Sequence, residues 1–362
     1  MRPGQFDPTD GILILRLGAV GDVIRTLPAL AALRKAFPHA RIGWIVEPGS
    51  MTLLPGKPWI DDVFVFPRTA LSARTLSRRP LRSLQHLNSL VSLTRKFEPA
   101  VSLDFQGSAK SSLLARLSTS PCRIGYSRDA SREGSSLLNN CLVTPSEARL
   151  NRIWKNLELL APLGISDRSV EFPFPARQAS GKVSDLLRSL ARSTVVAVHP
   201  GTSHRQSHKR WPEDRFAMLV LRLRDLGLFP ILTWGPGEED MVRRILEKAS
   251  GGGMVAPPLS LLEMREFLAG CRCFVGGDTG PMHLAWAQRI PVVALFGSTD
   301  PVVNGPLGPE HRILAPAWRA GHPVPSRGDA TAMQEISVED VVRSVLEVAV
   351  LHSAHPSQAC PC

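Results

Sequence analysis

The sequence predicts an α/β protein built from two doubly wound domains, each a parallel sheet with helices on both faces. Three observations carry this reading. Short apolar runs of strand length alternate with stretches whose apolar residues recur at helical spacing. The alternation lapses in a Pro- and Ser-rich stretch after Pro173 and then restarts. Glycine-bearing turns follow apolar runs at Gly18 to Gly21, at Gly201 and at Gly276 to Gly280, where such sheets open their binding loops. A chain of 362 residues is also long for a single core.

In chain order, Ile12-Leu13-Ile14-Leu15 reads as a buried parallel-type strand. Leu27, Leu30 and Leu33 then recur at helical spacing, which predicts one helix from Val23 to Phe37, stopped by Pro38. Further strands are expected at 41–46, 61–66, 100–104 and 123–126, with 69–83 as a loop or amphipathic helix on the rim. A linker at 176–192 separates a first domain, 1–175, from a second, 193–336. The second has expected strands at 194–199, 229–234, 272–275 and 292–296, and helices at 216–226, 238–248 and 261–269. The loop-rich 301–336 shows no order, and a helix over 338–351 closes the chain within a last segment, 337–362. Two such domains facing each other across a cleft would hold ligands at the carboxyl ends of their strands.

With 43% hydrophobic and 21% charged residues, the composition is that of a soluble globular protein. No apolar run reaches the ~18 residues a spanning helix needs. The first apolar segment contains Arg16 and begins the fold pattern, so it is not read as a signal peptide. The six cysteines form no recurring framework, which suits a reducing cytoplasm. Cys271 and Cys273 read as core, and Cys360-Pro361-Cys362 as a polar tail with metal binding as the alternative. The net charge of +11 is uneven: residues 66–132 hold twelve Arg or Lys against three acids, which is +9. Such an excess implies an anionic partner, whether nucleic acid, an anionic lipid surface or a phosphorylated substrate, or else a solvated basic face.

Four short constellations carry chemistry. Gly276-Gly277-Asp278-Thr279-Gly280-Pro281-Met282-His283 reads as strand, tight turn and helix start, with Pro281 at the first helical position. It aims backbone amides and a helix dipole at one point, as a phosphate site does; a capped crossover with nothing bound is the alternative. Gly18-Ala19-Val20-Gly21-Asp22 lacks the dinucleotide fingerprint but puts a carboxylate at a strand-to-helix junction. Asp22 is either a general base or a helix cap. His199-Pro200-Gly201-Thr202-Ser203, followed by Lys209, offers two hydroxyls and a mobile cation suited to phosphate. Trp234-Gly235-Pro236-Gly237-Glu238-Glu239 supplies acids where ribose hydroxyls are commonly held, or simply acids at a helix start. Asp278-Thr279-Gly280 has no second copy, so an aspartic protease is set aside, and no zinc spacing or Asp-x-Asp occurs.

Taken together, these pieces resemble glycosyltransferase family nine, the ADP-heptose:lipopolysaccharide heptosyltransferases, over nearly the whole chain. The matching motifs are 12–22 with Thr26-Leu27-Pro28-Ala29-Leu30, Asp104 to Ser111, His199-Pro200-Gly201, Lys209-Arg210-Trp211-Pro212, Gly276 to His283, and Phe296 to Pro301. The resemblance implies the two-domain, Rossmann-like GT-B fold and an inverting, metal-independent transfer from a nucleotide sugar to the lipopolysaccharide inner core. It implies Asp22 as base, and Thr202, Ser203, Lys209, Glu239, Asp278, Thr279, Gly280 and His283 around the donor. It places Gly21, Lys110, Arg123 and Arg128 toward an anionic acceptor. No cofactor beyond the donor, probed first as ADP-heptose, and no nucleic acid are expected. The implied location is cytoplasmic, peripheral to the inner membrane. Alternatives are another nucleotide-sugar donor, a nucleotide-sugar epimerase of the same fold, and a non-enzymatic polyanion-binding protein.

Overall fold

The computed structural model describes residues 11–70, 73–177, 180–191, 193–326 and 328–353. The chain divides into two compact units, 1–176 and 177–362.

The first unit runs β1 (Gly11–Leu15), α1 (Val20–Ile24), α2 (Leu27–Ala36), β2 (Ile42–Val46), α3 (Pro48–Met51), β3 (Asp62–Val65), α4 (Ala73–Arg78) and α5 (Pro80–Lys96). It continues with β4 (Pro99–Asp104), α6 (Ala109–Leu117), β5 (Cys122–Tyr126), β6 (Cys141–Val143) and α7 (Arg152–Glu158). Its sheet is parallel, in the order β3-β2-β1-β4-β5-β6. β1 lies at the centre and is apolar throughout, because both of its faces are covered. Leu13, Leu15, Ile45, Phe66 and Leu114 pack the core on one side of it.

The single helix expected over 23–37 is two. Pro28, in the first turn of α2, has no N–H to give and its ring would meet the carbonyl of Ile24, so the helix breaks at Arg25 and Thr26. Thr26 closes the break by donating its hydroxyl to the carbonyl of Asp22 at 2.9 Å. The rim segment expected to end near 83 is longer, since Pro80 opens a second helix that runs to Lys96.

The second unit runs α8 (Gly181–Ser189), β7 (Thr194–His199), α9 (Glu213–Asp225), β8 (Leu228–Leu232), α10 (Glu239–Lys248), β9 (Met254–Val255), α11 (Leu261–Ala269) and β10 (Cys273–Gly277). Then come α12 (Gly280–Ala287), β11 (Val292–Leu295), α13 (Pro301–Asn304), β12 (Arg312–Leu314) and α14 (Val338–Ser353). Its sheet order, β12-β11-β10-β7-β8-β9, repeats the topology of the first. Val196, Val198, Leu219, Leu232, Val275, Leu295, Val341 and Val345 fill one face. Cys271 and Cys273 are buried, as expected, and burial keeps both as thiols. The Cys360 and Cys362 tail lies outside the described residues. The stretch read as a linker carries α8, whose Val183 is fully buried and whose Leu187 lies over Gly270.

In both sheets the direction of winding reverses beside the first strand, between β1 and β4 and between β7 and β10. Open α/β sheets bind ligands just beyond the carboxyl ends at such a switch point.

Candidate active site

In the second unit, β7 and β10 deliver two loops to one spot. After His199 the chain turns through 200–203 into a short 3-10 segment, His204–Lys209. Lys209 Nζ donates to Asp278 Oδ2 at 3.0 Å, with both side chains close to nine-tenths buried. His283 Nε2 stands 3.3 Å from the other oxygen of Asp278. Thr279 is the N-cap of α12, and the first helical bond goes from the His283 amide to the Thr279 carbonyl. The preceding amides of α12 therefore have no partner inside the helix. A methyl on Gly277 would sit 3.4 Å from the Lys209 carbonyl, an ordinary contact distance, so the two loops run side by side here.

What holds Lys209 there is Trp211. Its indole is buried, donates to the Ile336 carbonyl at 3.0 Å and packs edge-on against Phe216. Between them, Arg210 donates to the Thr202 hydroxyl at 3.2 Å, to the Thr202 carbonyl at 2.8 Å and to Glu238 Oε1 at 3.2 Å. Thr202 is buried and its hydroxyl also donates to the Gln206 carbonyl at 3.1 Å, so that hydroxyl shapes the loop. Ser203 is exposed at the start of the 3-10 segment.

The two acids after β8 point apart. Glu239 lies on α10 and pairs with Arg243 one turn on, at the surface. Glu238 is the one turned inward: it is 8% exposed and accepts from the Gly235 amide at 2.9 Å. It rests on Gly201, where any Cβ would overlap its carboxylate. Helix geometry accounts for this, since neighbouring residues at a helix start point in directions that diverge. Ser298, just past the carboxyl end of β11, lies within the Phe296 to Pro301 motif, where the sequence reading gives it no role. Its hydroxyl is buried with no hydrogen-bond partner among the described residues.

His199 is structural. Its ring is buried against Thr233, Nδ1 to Oγ1 3.0 Å, and burial together with Arg210 pulls its pKa down to about 4. The folded pKa lies below the unfolded value, so the neutral ring stabilises the fold fully above pH ~6.5 and progressively less as pH falls toward 4. Acidification through that window is expected to cost on the order of 3 kcal/mol at this site. Urea titrations of wild type and His199→Asn at both ends of the window check it; equal acid sensitivity would refute it.

In the first unit, Asp22 is the third residue of α1 and does not cap it; Ala19 occupies the N-cap. Its carboxylate is gripped by two guanidiniums, Arg16 Nη2 to Oδ2 and Arg25 Nη2 to Oδ1, both at 2.6 Å. Burial acts to raise its pKa, but Arg16, Arg25 and Arg152 outweigh burial and hold it far below the usual carboxylate range. Arg16 is fixed in turn, donating to the Phe105 carbonyl at 2.6 Å. Asp104, at the end of β4, is fully buried and accepts from the Gly107 amide at 3.0 Å; burial raises its pKa.

Of the residues expected to meet an acceptor, Gly21 is buried beside Asp22. Lys110 is exposed at the start of α6, its ammonium 5.3 Å from the Phe66 ring centre. Arg128 is exposed just past the carboxyl end of β5. Arg123 differs: its guanidinium donates to the carbonyls of Leu138 and Ser120, both at 2.9 Å, which ties β5 to its own surroundings. Among the described residues no three His, Cys, Asp or Glu side chains gather as a metal ion would require.

The family model of glycosyltransferase family 9 (heptosyltransferase) matches residues 92–324. Lipopolysaccharide heptosyltransferase 1 of Pseudomonas aeruginosa is 28% identical over 306 residues, covering 82% of this chain and 81% of that protein. Lipopolysaccharide heptosyltransferase 2 of Escherichia coli K12 is 26% identical over 351 residues, covering 93% and 96%. Among solved structures, E. coli heptosyltransferase WaaC with ADP aligns with a TM-score of 0.71 at 21% identity, covering 93% of this chain and 99% of that one. The family match spans well over half the chain, the fold is shared with these enzymes, and the switch-point loops carry the motifs: this chain belongs to glycosyltransferase family 9 and is a glycosyltransferase of GT-B fold.

Proposed function

We propose that this chain transfers a heptose, with inversion and without a metal, from ADP-heptose to a hydroxyl of the lipopolysaccharide inner core. The observation that carries the donor half is the Lys209, Asp278 and His283 constellation set against the start of α12. A diphosphate there meets an ammonium and helix amides that have no partner within the helix, which is the chemistry of anion binding. Glu238, rather than Glu239, offers its carboxylate to the ribose hydroxyls, and Asp278 faces the donor sugar. The relatives' names support heptose and lipopolysaccharide as donor sugar and acceptor.

Asp22 takes the proton of the attacking hydroxyl. A carboxylate gripped by two guanidiniums is a weak base, so on this reading the acceptor must draw Arg16 or Arg25 partly away before Asp22 acts. Lys110 and Arg128, with the backbone at Gly21, meet the anionic acceptor. The site of action is the cytoplasmic face of the inner membrane, approached peripherally. Among the described residues no helix is long and apolar enough to cross a membrane.

A thermal-shift panel of nucleotide sugars tests the donor. ADP-heptose at about 100 times its dissociation constant should add roughly 2.7 kcal/mol of stability. Sugar transfer should require acceptor and persist with a chelator present. Donor turnover without acceptor would make the protein an epimerase, and stabilisation by a different nucleotide sugar alone would replace the donor. On the acceptor side, Lys110→Glu with Arg128→Glu should weaken capture of inner-core acceptor and leave ADP affinity intact; a fall in ADP affinity would remove both from that role.

A further inference from the structure

The surroundings of Asp22 hold more positive charge than it can offset. Asn151 caps α7 by accepting from the Ile153 amide, and Arg152 opens the helix. One turn on, Asn156 donates to the Arg25 carbonyl at 2.9 Å and to the Thr26 hydroxyl at 3.2 Å, fixing α7 against the turn that carries Asp22. Arg152 stands on the same face of α7 as Asn156, four residues earlier. Among the described residues it makes no hydrogen bond or ion pair, although it is half-buried. The charges of Arg25 and Arg16 push its pKa down after burial, with Asp22 pulling the other way, and the Asn156 contacts hold this face of α7 against the turn at Arg25 and Thr26.

Lys155 adds a fourth cation. Its ammonium donates to the Ala130 carbonyl at 2.7 Å and stands 4.3 Å from the Tyr126 ring centre. Burial, with Arg152, Arg132 and Arg16, lowers its pKa to about 8. The other acids nearby are already engaged: Glu158 by Ser146 and Arg168, and Asp104 by Gly107 and Asn139. Three guanidiniums, Arg16, Arg25 and Arg152, thus act on one carboxylate, with Lys155 one turn along α7 from Arg152. Desolvated cations without counter-charge are costly, and the arrangement is complete only when an anion joins it.

We infer that Arg152 and Lys155, with Arg16 and Arg25, form a seat for one phosphate or carboxylate group beside Asp22. The inference rests on the acceptor reading above only in naming the acceptor as the source of that group. An anion so placed competes with Asp22 for the two arginines, which is the loosening that a base at this position requires.

The test titrates the full-length protein by calorimetry with glucose 6-phosphate and, separately, glucuronate. Binding of the first alone identifies a phosphate seat, and of the second alone a carboxylate seat; either supports the proposal. Arg152→Gln should weaken that binding roughly tenfold to a hundredfold, the loss of one charge-assisted hydrogen bond. Asp22→Asn should strengthen it, since the competing negative charge is gone; a merely basic surface would not respond in this way. If Arg152→Gln does not fold, Lys155→Gln and Asp22→Asn carry the test with the same signs. ADP titrated alongside reports the donor loops separately and should bind all variants equally. Failure of ADP to bind would sink the donor reading and leave the seat standing. No binding of either sugar acid by wild type up to about 20 mM, or affinities indifferent to both Arg152 and Asp22, would overturn the seat.

Discussion

Asp22→Asn is expected to lower turnover by about 10²–10⁴, the usual contribution of a positioned general base. Asn has nearly the same shape, and its one carbonyl oxygen can accept from one of the two guanidiniums, but its NH2 then faces the other and it cannot take a proton at neutral pH. Donor affinity should be unchanged, because the donor loops belong to the other unit. The melting temperature should not be: the carboxylate is the counter-charge for two buried guanidiniums. Removing one partner of a fully buried pair costs about 3–5 kcal/mol. Here Asp22 keeps 26% of its side-chain surface open, so a loss of about 1–3 kcal/mol is expected. Rates must therefore be compared well below the transition, with initial-rate kinetics at saturating donor. A variant that turns over at the wild-type rate would remove Asp22 from the chemistry and leave it as the anchor of the arginine pair.

Lys209→Ala should weaken ADP binding by about 1.5–3 kcal/mol, or roughly ten- to a hundredfold, the range for a hydrogen bond to a charged group. Two effects act in the same direction. The ammonium that meets the diphosphate is lost, and Asp278, only 10% exposed, keeps its negative charge close to the incoming phosphates. Lys209→Arg would retain the charge but must fit a planar fork beside Asp278 where the Lys209 side chain is only 12% exposed. Calorimetry with ADP reads the difference, and an Ala variant that binds ADP as wild type does would place the diphosphate elsewhere.

How far the sequence reveals the molecule depends on how local the signal is. β1, β10 and β11 are continuous apolar runs ending at glycine or at a polar turn, and periodicity finds them. β6, β9 and β12 are two or three residues long and partly exposed, so no run distinguishes them. At the site, Arg25 is three residues from Asp22 on one helix and could be read from spacing. Arg152 could not: the packing of α7 against the turn at Arg25 and Thr26 brings its charge to bear on that carboxylate, which no local pattern encodes. Glu238 and Glu239 are chemically identical neighbours, and only the turn of the chain at the start of α10 separates an inward acid from a surface one.

The central strands carry a kinetic consequence. β1 pairs with β2 soon after it in the chain, but its other neighbour is β4, so Ile12 must find Val101. Likewise Val196 in β7 must find Cys273 in β10. Closing such long loops before any contact rewards it is what slows the folding of parallel sheets. In each unit the strand pair that frames the candidate site is therefore the junction with the largest closure entropy. During synthesis neither site can form until four of the six strands of its sheet have left the ribosome, and the first strand of each pair waits longest for its partner.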